Sequence, residues 1–220
     1  MTQNIKNTYF TGQNIVVKYD LPTHVRLPFI IQGREITEEI WKNLAGAMDN
    51  STVTIRHHEE GEYSGISVYV THPILDEPSI RIIYRPEGNE TRLLLRNHNL
   101  ILNQNYQQQG IGLYSFAQGA ITAAELGFPA ITARAAGFPH TKNKLGWWAW
   151  PRMGFDAKLQ ISQLFKRPNS LRACTTVLDL FATAEGREFW KTVARPMEMQ
   201  FDLAEHSRSW AVLLAYMNEK

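Results

Sequence analysis

The feature that most constrains this chain is the sextet Gln107-Gln108-Gln109-Gly110-Ile111-Gly112, which lies between an extended apolar segment and a helical pattern of small residues. Glycine allows the backbone to turn sharply or to approach a ligand closely. The first N–H groups of a helix have no partner within the helix, and the helix dipole adds a positive potential there. The sextet therefore predicts a strand, a glycine turn and a helix start that suits a phosphate group.

The composition is that of a globular protein. The 220 residues are 44% hydrophobic and 20% charged, and the 23 basic residues are scattered among 21 acidic ones without a Lys or Arg block. This charge pattern predicts no nucleic-acid or membrane partner. The single cysteine, Cys174, excludes an internal disulfide. The absence of a long apolar segment predicts a cytoplasmic protein, and a homodimer is compatible with the sequence.

Hydrophobic periodicity predicts the order of the elements in the first two thirds of the chain. We expect helices at residues 35–49 and 113–126, the second closed by Gly127 before Pro129. Turn residues between the early strands predict antiparallel pairing, and Asn97-His98-Asn99 is a candidate bulge. The aromatic segment 146–156 is expected to be irregular, with Gly154-Phe155-Asp156 entering a last strand. The predicted strands before that segment are residues 52–57, 65–71, 79–84, 92–103 and 130–135.

The character of the sequence changes after about Lys158. Three helices are predicted there, at residues 171–180, 186–193 and 207–217. This part has few apolar positions, so it makes a poor independent core and is expected to pack back on the rest. The predicted division is a core at residues 1–157 and a helical extension at residues 158–220.

Three other interpretations of the glycine turn were weighed. A dinucleotide site requires a third glycine, where this chain has Ser115, and an acidic residue after the next strand, where it has Arg134 and Ala135. A nucleotide P-loop requires Gly-Lys-Ser/Thr, which does not follow the first glycine. A tight turn that binds no ligand remains the structural alternative.

The order of elements resembles the GNAT superfamily of acyl-CoA-dependent N-acyltransferases. Gln107, Gly110 and Gly112 match the superfamily's Arg/Gln-x-x-Gly-x-Gly/Ala motif, and Trp150 stands four residues before Gly154-Phe155, as an aromatic residue does in its second signature. The resemblance covers about residues 35 to 157 by the count of elements. It implies an α+β fold with a mixed, mostly antiparallel sheet flanked by helices, here with a C-terminal helical extension.

The same resemblance implies how an acyl-CoA would bind. The backbone amides from Gln108 to Leu113 would cradle the pyrophosphate, and the segments 100–104 and 130–135 would splay apart to receive the pantetheine arm. A backbone amide near Leu102 to Gln104 would stabilise the oxyanion. The co-substrate would be acetyl-CoA or a longer acyl-CoA, with no metal. The complete set of implied cofactor-binding residues is Leu102, Asn103, Gln104, Gln107, Gln108, Gln109, Gly110, Ile111, Gly112 and Leu113.

Acylation of an amine by a thioester requires a group that removes the proton of the amine and a group that protonates the leaving thiolate. His98, His140 and Asp156 are candidates for the first task, and a histidine titrates near neutrality, at about pH 6.5. Each also has a structural interpretation: a turn residue, a solvated loop residue and a strand-end cap. Where the superfamily commonly has a tyrosine acid, this chain has Trp150, and an indole N–H cannot act as an acid.

Three indoles in the segment 147–150 could form a wall for an acyl chain or pack as core aromatics. The expected activity is transfer of an acyl group to an amine on a peptide, a protein or a small molecule. A peptide or protein acceptor is preferred, because the C-terminal extension enlarges the surface, as in superfamily members that acylate modified bacterial peptides. The alternative is a GNAT-like module that binds acyl-CoA or a protein partner without catalysis.

Overall fold

The fold is α+β in a computed structural model that describes residues 2–25, 27–58, 65–85, 93–141 and 145–219. As the sequence predicts, the strands form a mixed, mostly antiparallel sheet with helices packed against it. The chain divides into two compact units. The first unit comprises residues 1–131 and 217–220, and the second comprises residues 132–216.

The first unit is built on five hydrogen-bonded strands in the order β1-β4-β5-β6-β7. Strand β1 is parallel to β4, and the other three pairs of neighbours are antiparallel. A separate two-stranded ribbon joins β2 and β3. The elements of this unit are α1 (Thr2–Tyr9), β1 (Val16–Asp20), β2 (Ile30–Ile31), β3 (Arg34–Glu35), α2 (Glu38–Ala45), β4 (Thr52–His58), β5 (Gly65–Thr71), β6 (Ser79–Tyr84), β7 (Leu94–Asn99) and α3 (Ile111–Glu125).

Helix α2 is shorter than the predicted span 35–49. Its N-cap is Thr37, whose hydroxyl accepts a hydrogen bond from the N–H of Ile40. Gly46 ends it in the left-handed conformation, with φ of 60°. The apolar periodicity continues past this cap to Met48, which is buried in an apolar cluster formed with residues of other segments. Periodicity alone therefore overestimated the length of the helix.

Helices α2 and α3 are joined through the buried side chain of Arg81 on β6. Its guanidinium donates to the carbonyl oxygens of Leu44 and Ser115, the second at 3.1 Å, and Ser115 Oγ donates to the carbonyl of Gly46 at 2.7 Å. Burial lowers the pKa of Arg81 to about 10, so the side chain stays charged at neutral pH. The C-terminal carbonyls of α2 carry negative partial charge that stabilises it.

Strand β7 carries the bulge that the sequence predicts. Asn97 pairs with Arg81 and Asn99 pairs with Ile80, so His98 is an extra residue with no partner across the pair. The side-chain oxygen of Asn99 accepts from the N–H of Ile80 at 2.8 Å, which replaces a ladder bond. The strand ends at Asn99 rather than at residue 103.

The second unit contains helices and one complete strand. Strand β8 (Ala130–Ala135) has the predicted bounds and enters this unit at Thr132. Beside it lies β9 (Met197–Asp202), which the sequence analysis missed, so the C-terminal part of the chain contains a strand in addition to its helices. The helices are α4 (Gly146–Arg152), α5 (Ile161–Leu164), α6 (Val177–Phe181), α7 (Ala184–Val193) and α8 (Arg208–Asn218), which continues two residues beyond the unit.

Two further predictions for this region are corrected. The segment 146–152 is a helix and not irregular. Asp156 forms only an isolated antiparallel bridge with Gln200, so Gly154-Phe155-Asp156 does not enter a strand. The structure divides the chain at Ile131/Thr132, and the predicted boundary at 157/158 stays a prediction. In the described part of the chain, no helix is both long enough and apolar enough to cross a bilayer.

Candidate functional site

The glycine turn starts helix α3 as the sequence predicts, although the helix begins at Ile111 rather than at residue 113. Gly110 is the N-cap, with φ of 89°, and no described side chain caps the helix there. Gln108 also has a positive φ, 60°. A left-handed N-cap favours glycine, which explains why the turn contains one at this position.

The backbone N–H groups from Gln108 to Leu113 have no acceptor among the described residues, whereas the N–H of Tyr114 donates to the carbonyl of Gly110 at 2.9 Å. Three of these groups belong to the first turn of α3, where the dipole of a 15-residue helix adds positive potential. Gln108 and Gln109 are exposed, and Gly110 and Gly112 are partly exposed. The turn therefore presents unpaired donors toward solvent, as an anion site requires.

The protein's own side chains cover one side of this turn. The buried Ile5 of α1 approaches Gly110, and a β-carbon there would lie 2.8 Å from its Cδ1 atom. A β-carbon on Gly112 would meet Leu100 Cδ2 at 3.5 Å and Leu102 Cδ1 at 3.6 Å, which are ordinary contacts. These apolar contacts use none of the amide donors of the turn.

Two glutamine side chains shape the turn. The amide nitrogen of Gln107 donates to the carbonyl of Leu102 at 2.8 Å, and that of Gln109 donates to the carbonyl of Asn105 at 2.7 Å. Both donors therefore fix the short 3₁₀ segment Gln104–Tyr106 that precedes the helix. The described bond of the Gln107 side chain positions this loop, and direct contact with a cofactor stays a prediction.

Of the backbone amides at residues 102–104, not all are available as the oxyanion donor. The N–H of Asn103 donates to the carbonyl of Ile74 at 2.9 Å, so this amide is already used inside the protein. Leu102 forms an isolated antiparallel bridge with Leu75. No acceptor is described for the N–H of Leu102. The N–H of Gln104 has none among the described residues either. Of the three amides in this segment, those of Leu102 and Gln104 remain candidates.

His98 lies at the bulge on the exposed side of β7. Partial desolvation lowers the pKa of His98, and the positive charges of Arg96 and His58 lower it further. The imidazole is therefore neutral at pH 7 and can accept a proton. The sequence analysis did not include Arg96 or His58. Arg96 stands two residues before His98 in the sequence, and this short separation was the available signal.

The other predicted catalytic residues belong to the second unit. His140 is exposed in the turn after β8, and its ring stacks on Phe138 with centroids 5.5 Å apart. Trp150 is buried, and its ring lies 4.9 Å from that of Phe155. Trp147 is buried as well, and the Trp148 ring packs on Phe181 at 5.3 Å. Trp147 and Trp150 are thus core residues, as the structural interpretation of the segment predicts, and Trp148 is partly buried.

The carboxylate of Asp156 has a described structural function. Its Oδ1 atom accepts from the N–H of Ala157 at 2.8 Å and from the N–H of Leu178 at 2.9 Å. Leu178 lies in the first turn of α6, so Asp156 supplies an acceptor to a helix start. The carboxylate thus serves a helix start and not the end of a strand, as the structural interpretation had it, and a catalytic function of Asp156 stays a prediction.

The described residues contain no group of three or more His, Cys, Asp or Glu side chains that could hold a metal ion. Among the described residues of the first unit, the groups that could bind an anion or accept a proton in the expected reaction are the amides at residues 108–113, for which no acceptor is described, and the imidazole of His98. No family model, curated protein or solved structure matches this chain.

Proposed function

We propose that this protein transfers an acyl group from acyl-CoA to an amine. The observation that carries the proposal is the row of backbone N–H groups at residues 108–113, which have no acceptor among the described residues and start a long helix after a left-handed glycine. Coenzyme A carries a diphosphate, which is the type of anion that such a helix start binds. The Gln107, Gly110 and Gly112 spacing of the GNAT superfamily supports the same ligand.

The chemistry requires a neutral amine, because an ammonium group has no lone pair. His98 accepts the proton of the amine, and its lowered pKa keeps the imidazole neutral at pH 7. The amine nitrogen then attacks the thioester carbonyl, and the N–H of Leu102 or Gln104 donates to the oxyanion. As the carbon–sulfur bond breaks, the nitrogen loses its second proton and becomes the amide, and coenzyme A leaves as a thiolate that takes up this proton through solvent.

The acceptor class is part of the proposal. We favour an amine on a peptide or protein over one on a small metabolite, and either an acetyl or a longer acyl group. The open position of His98 supports a large acceptor, because its side chain lies on an exposed part of the sheet.

The test uses residue 112, where a β-carbon fits without strain. Gly112→Asp adds a negative charge at the proposed diphosphate site, and Gly112→Asn is the neutral control of the same shape. In a calorimetric titration with acetyl-CoA, we expect Gly112→Asp to lose at least about tenfold in affinity, which corresponds to ~1.4 kcal/mol. The Asn variant should lose clearly less. Equal affinity of both variants and the unaltered protein would contradict the proposed cradle.

A non-catalytic module that binds acyl-CoA or a protein partner is the second candidate. It is favoured by the buried indole of Trp150 at the position where the superfamily commonly has a tyrosine acid, and by the structural contacts of Asp156. Release of free thiol from acetyl-CoA, measured with a panel of amines and lysine peptides, separates the two functions. Thiol release that depends on the amine supports the enzyme, whereas tight binding without release supports the module.

A further inference from the structure

The second unit contains a cavity of about 850 Å³, which is within the size range of small-molecule sites. Three segments line it: the turn at residues 138–140, the stretch around α5, and the chain from the end of α7 to Pro196. None of the described residues that line it is acidic, whereas His140, Lys166, Lys191 and Arg195 are basic. The cavity therefore has a positive electrostatic potential that favours an anionic ligand.

Most of this positive charge is uncompensated. Lys191 pairs with Glu188 at 2.7 Å and lies 5.2 Å from the ring centroid of Trp148. By contrast, no acidic partner is described for Lys166 or Arg195. A single carboxylate would engage one of these cations, so several of them around one space favour a multivalent anion such as a phosphate group.

A buried glutamine links two of the cationic segments. The buried side chain of Gln163 accepts from the N–H of Gln160 at 2.8 Å and donates to the carbonyl of Val193 at 3.2 Å. These two bonds tie the start of α5 to the last turn of α7. Lys166 and Arg195 follow these anchor points by three and two residues. Their backbone positions are thus fixed before a ligand arrives, which lowers the entropic cost of binding.

The turn beside the cations adds an aromatic surface. Phe138 is 40% exposed, and its ring is stacked on His140 with an interplanar angle of 17°. The N–H of Phe138 donates to Thr141 Oγ1 at 2.9 Å, which holds the turn closed. An exposed aromatic face beside free cations suits a ligand in which a ring is attached to the anionic group.

We infer that this cavity binds a small organic phosphate ester, with the phosphate on Lys166 and Arg195 and the organic part against Phe138. The assignment is independent of the proposed acyltransferase activity, since it concerns other residues and another ligand.

The test is a calorimetric titration of the full chain with phenyl phosphate as the probe. Lys166→Gln and Arg195→Gln are exposed substitutions, and each should weaken binding about five- to twentyfold, as expected for a charge-assisted hydrogen bond. Lys158→Gln is the matched control, because Lys158 is an exposed lysine of the same unit outside the cavity lining. This variant should keep its affinity within about twofold. Absence of saturable binding, or equal binding by all variants, would overturn the inference.

Two further measurements separate this site from the candidate diphosphate site. Phe138→Ala should weaken the binding of phenyl phosphate but not that of inorganic phosphate, and equal affinity of the unaltered protein for both probes would contradict the organic part of the assignment. Gly112→Asp should leave phenyl phosphate binding unchanged. Loss of binding in that variant would place the probe at residues 108–113 and overturn the inference for the cavity.

Discussion

The indole N–H of Trp190 donates to the backbone carbonyl of Trp147 at 2.8 Å, and both residues are buried. Trp147 lies four residues before Pro151 in α4. In a regular helix the N–H of residue 151 would bond to this carbonyl, but proline has no N–H. A side chain from α7 thus supplies the donor that the sequence of α4 lacks, which explains how a short helix with an internal proline is stable.

We expect Trp190→Phe to lower the free energy of unfolding by about 2–4 kcal/mol, because it removes the donor and leaves a small void. A double-mutant cycle with Pro151→Ala isolates the hydrogen bond. Alanine restores the backbone N–H at position 151, so Trp190→Phe should cost about 1 kcal/mol less in the Pro151→Ala background. Urea unfolding of the four proteins measures this difference, and additive effects would show that the indole bond does not compensate for the proline.

Two glycines of α3 should respond in opposite ways to the same substitution. A β-carbon at Gly119 would collide with the guanidinium of Arg81, whereas one at Gly112 makes only ordinary contacts. We expect Gly119→Ala to lower the free energy of unfolding by about 1–3 kcal/mol or more. Gly112→Ala should raise it by up to ~1 kcal/mol through helix propensity. Thermal unfolding of both variants provides the comparison, and a neutral Gly119→Ala would contradict the close packing of Arg81.

The pKa of His98 should be below the usual value of about 6.5 for histidine. Because the native state disfavours the proton, this group stabilises the fold fully above the unfolded pKa and less as the pH falls through the folded pKa. NMR titration of the imidazole measures the shift. His58→Gln should raise the pKa of His98, and His57→Gln, on the opposite face of β4, is the control. An equal effect of both variants would contradict the described origin of the shift.

Two substitutions of Asp156 can separate a structural function of this residue from a catalytic one. Asp156→Asn keeps an oxygen that can accept from Leu178, whereas Asp156→Ala removes it. We expect the alanine variant to lose about 1–3 kcal/mol of unfolding free energy, and the asparagine variant to lose less. If the contact to Leu178 is its main function, thiol release by the asparagine variant should match that of the unaltered protein. Loss of activity at full stability would favour catalysis.

The sequence predicted the elements whose signals are local. Strands β5, β6 and β8 have the predicted bounds. β-Branched or aromatic residues dominate β5 and β6, and β8 is delimited by Gly127 and Pro129 before it and Gly137 after it. Strand β1 was missed because four of its five residues are exposed, so it carries no apolar alternation. Strand β9 does alternate, with Met199 and Phe201 buried, and this signal could have been found. Helix α4 was missed because Pro151 argues against a helix unless a distant donor such as Trp190 is known.

The candidate site was predicted to a similar extent. The glycine turn follows from two glycines and a helical pattern, which are features of neighbouring residues. The use of the Asn103 amide by Ile74 and the approach of Ile5 to Gly110 depend on distant segments. The positive charge around His98 depends in part on pairing across β4 to β7. Such contacts depend on tertiary packing, and the hydrophobic periodicity of one sequence does not reveal which distant residues meet.

The bulge at His98 interrupts the alternation of side chains between the two faces of the sheet, shortly before the chain reaches the glycine turn. Asn97 and Asn99 would share a face in an uninterrupted strand, yet they pair with Arg81 and Ile80, whose side chains alternate. Deletion of His98 would leave Asn97 opposite Arg81 and Asn99 opposite Ile80 and would remove only the bulge, whereas regular pairing that included His98 would turn Asn99 to the other face of the sheet. The one extra residue therefore decides on which face Asn99 lies.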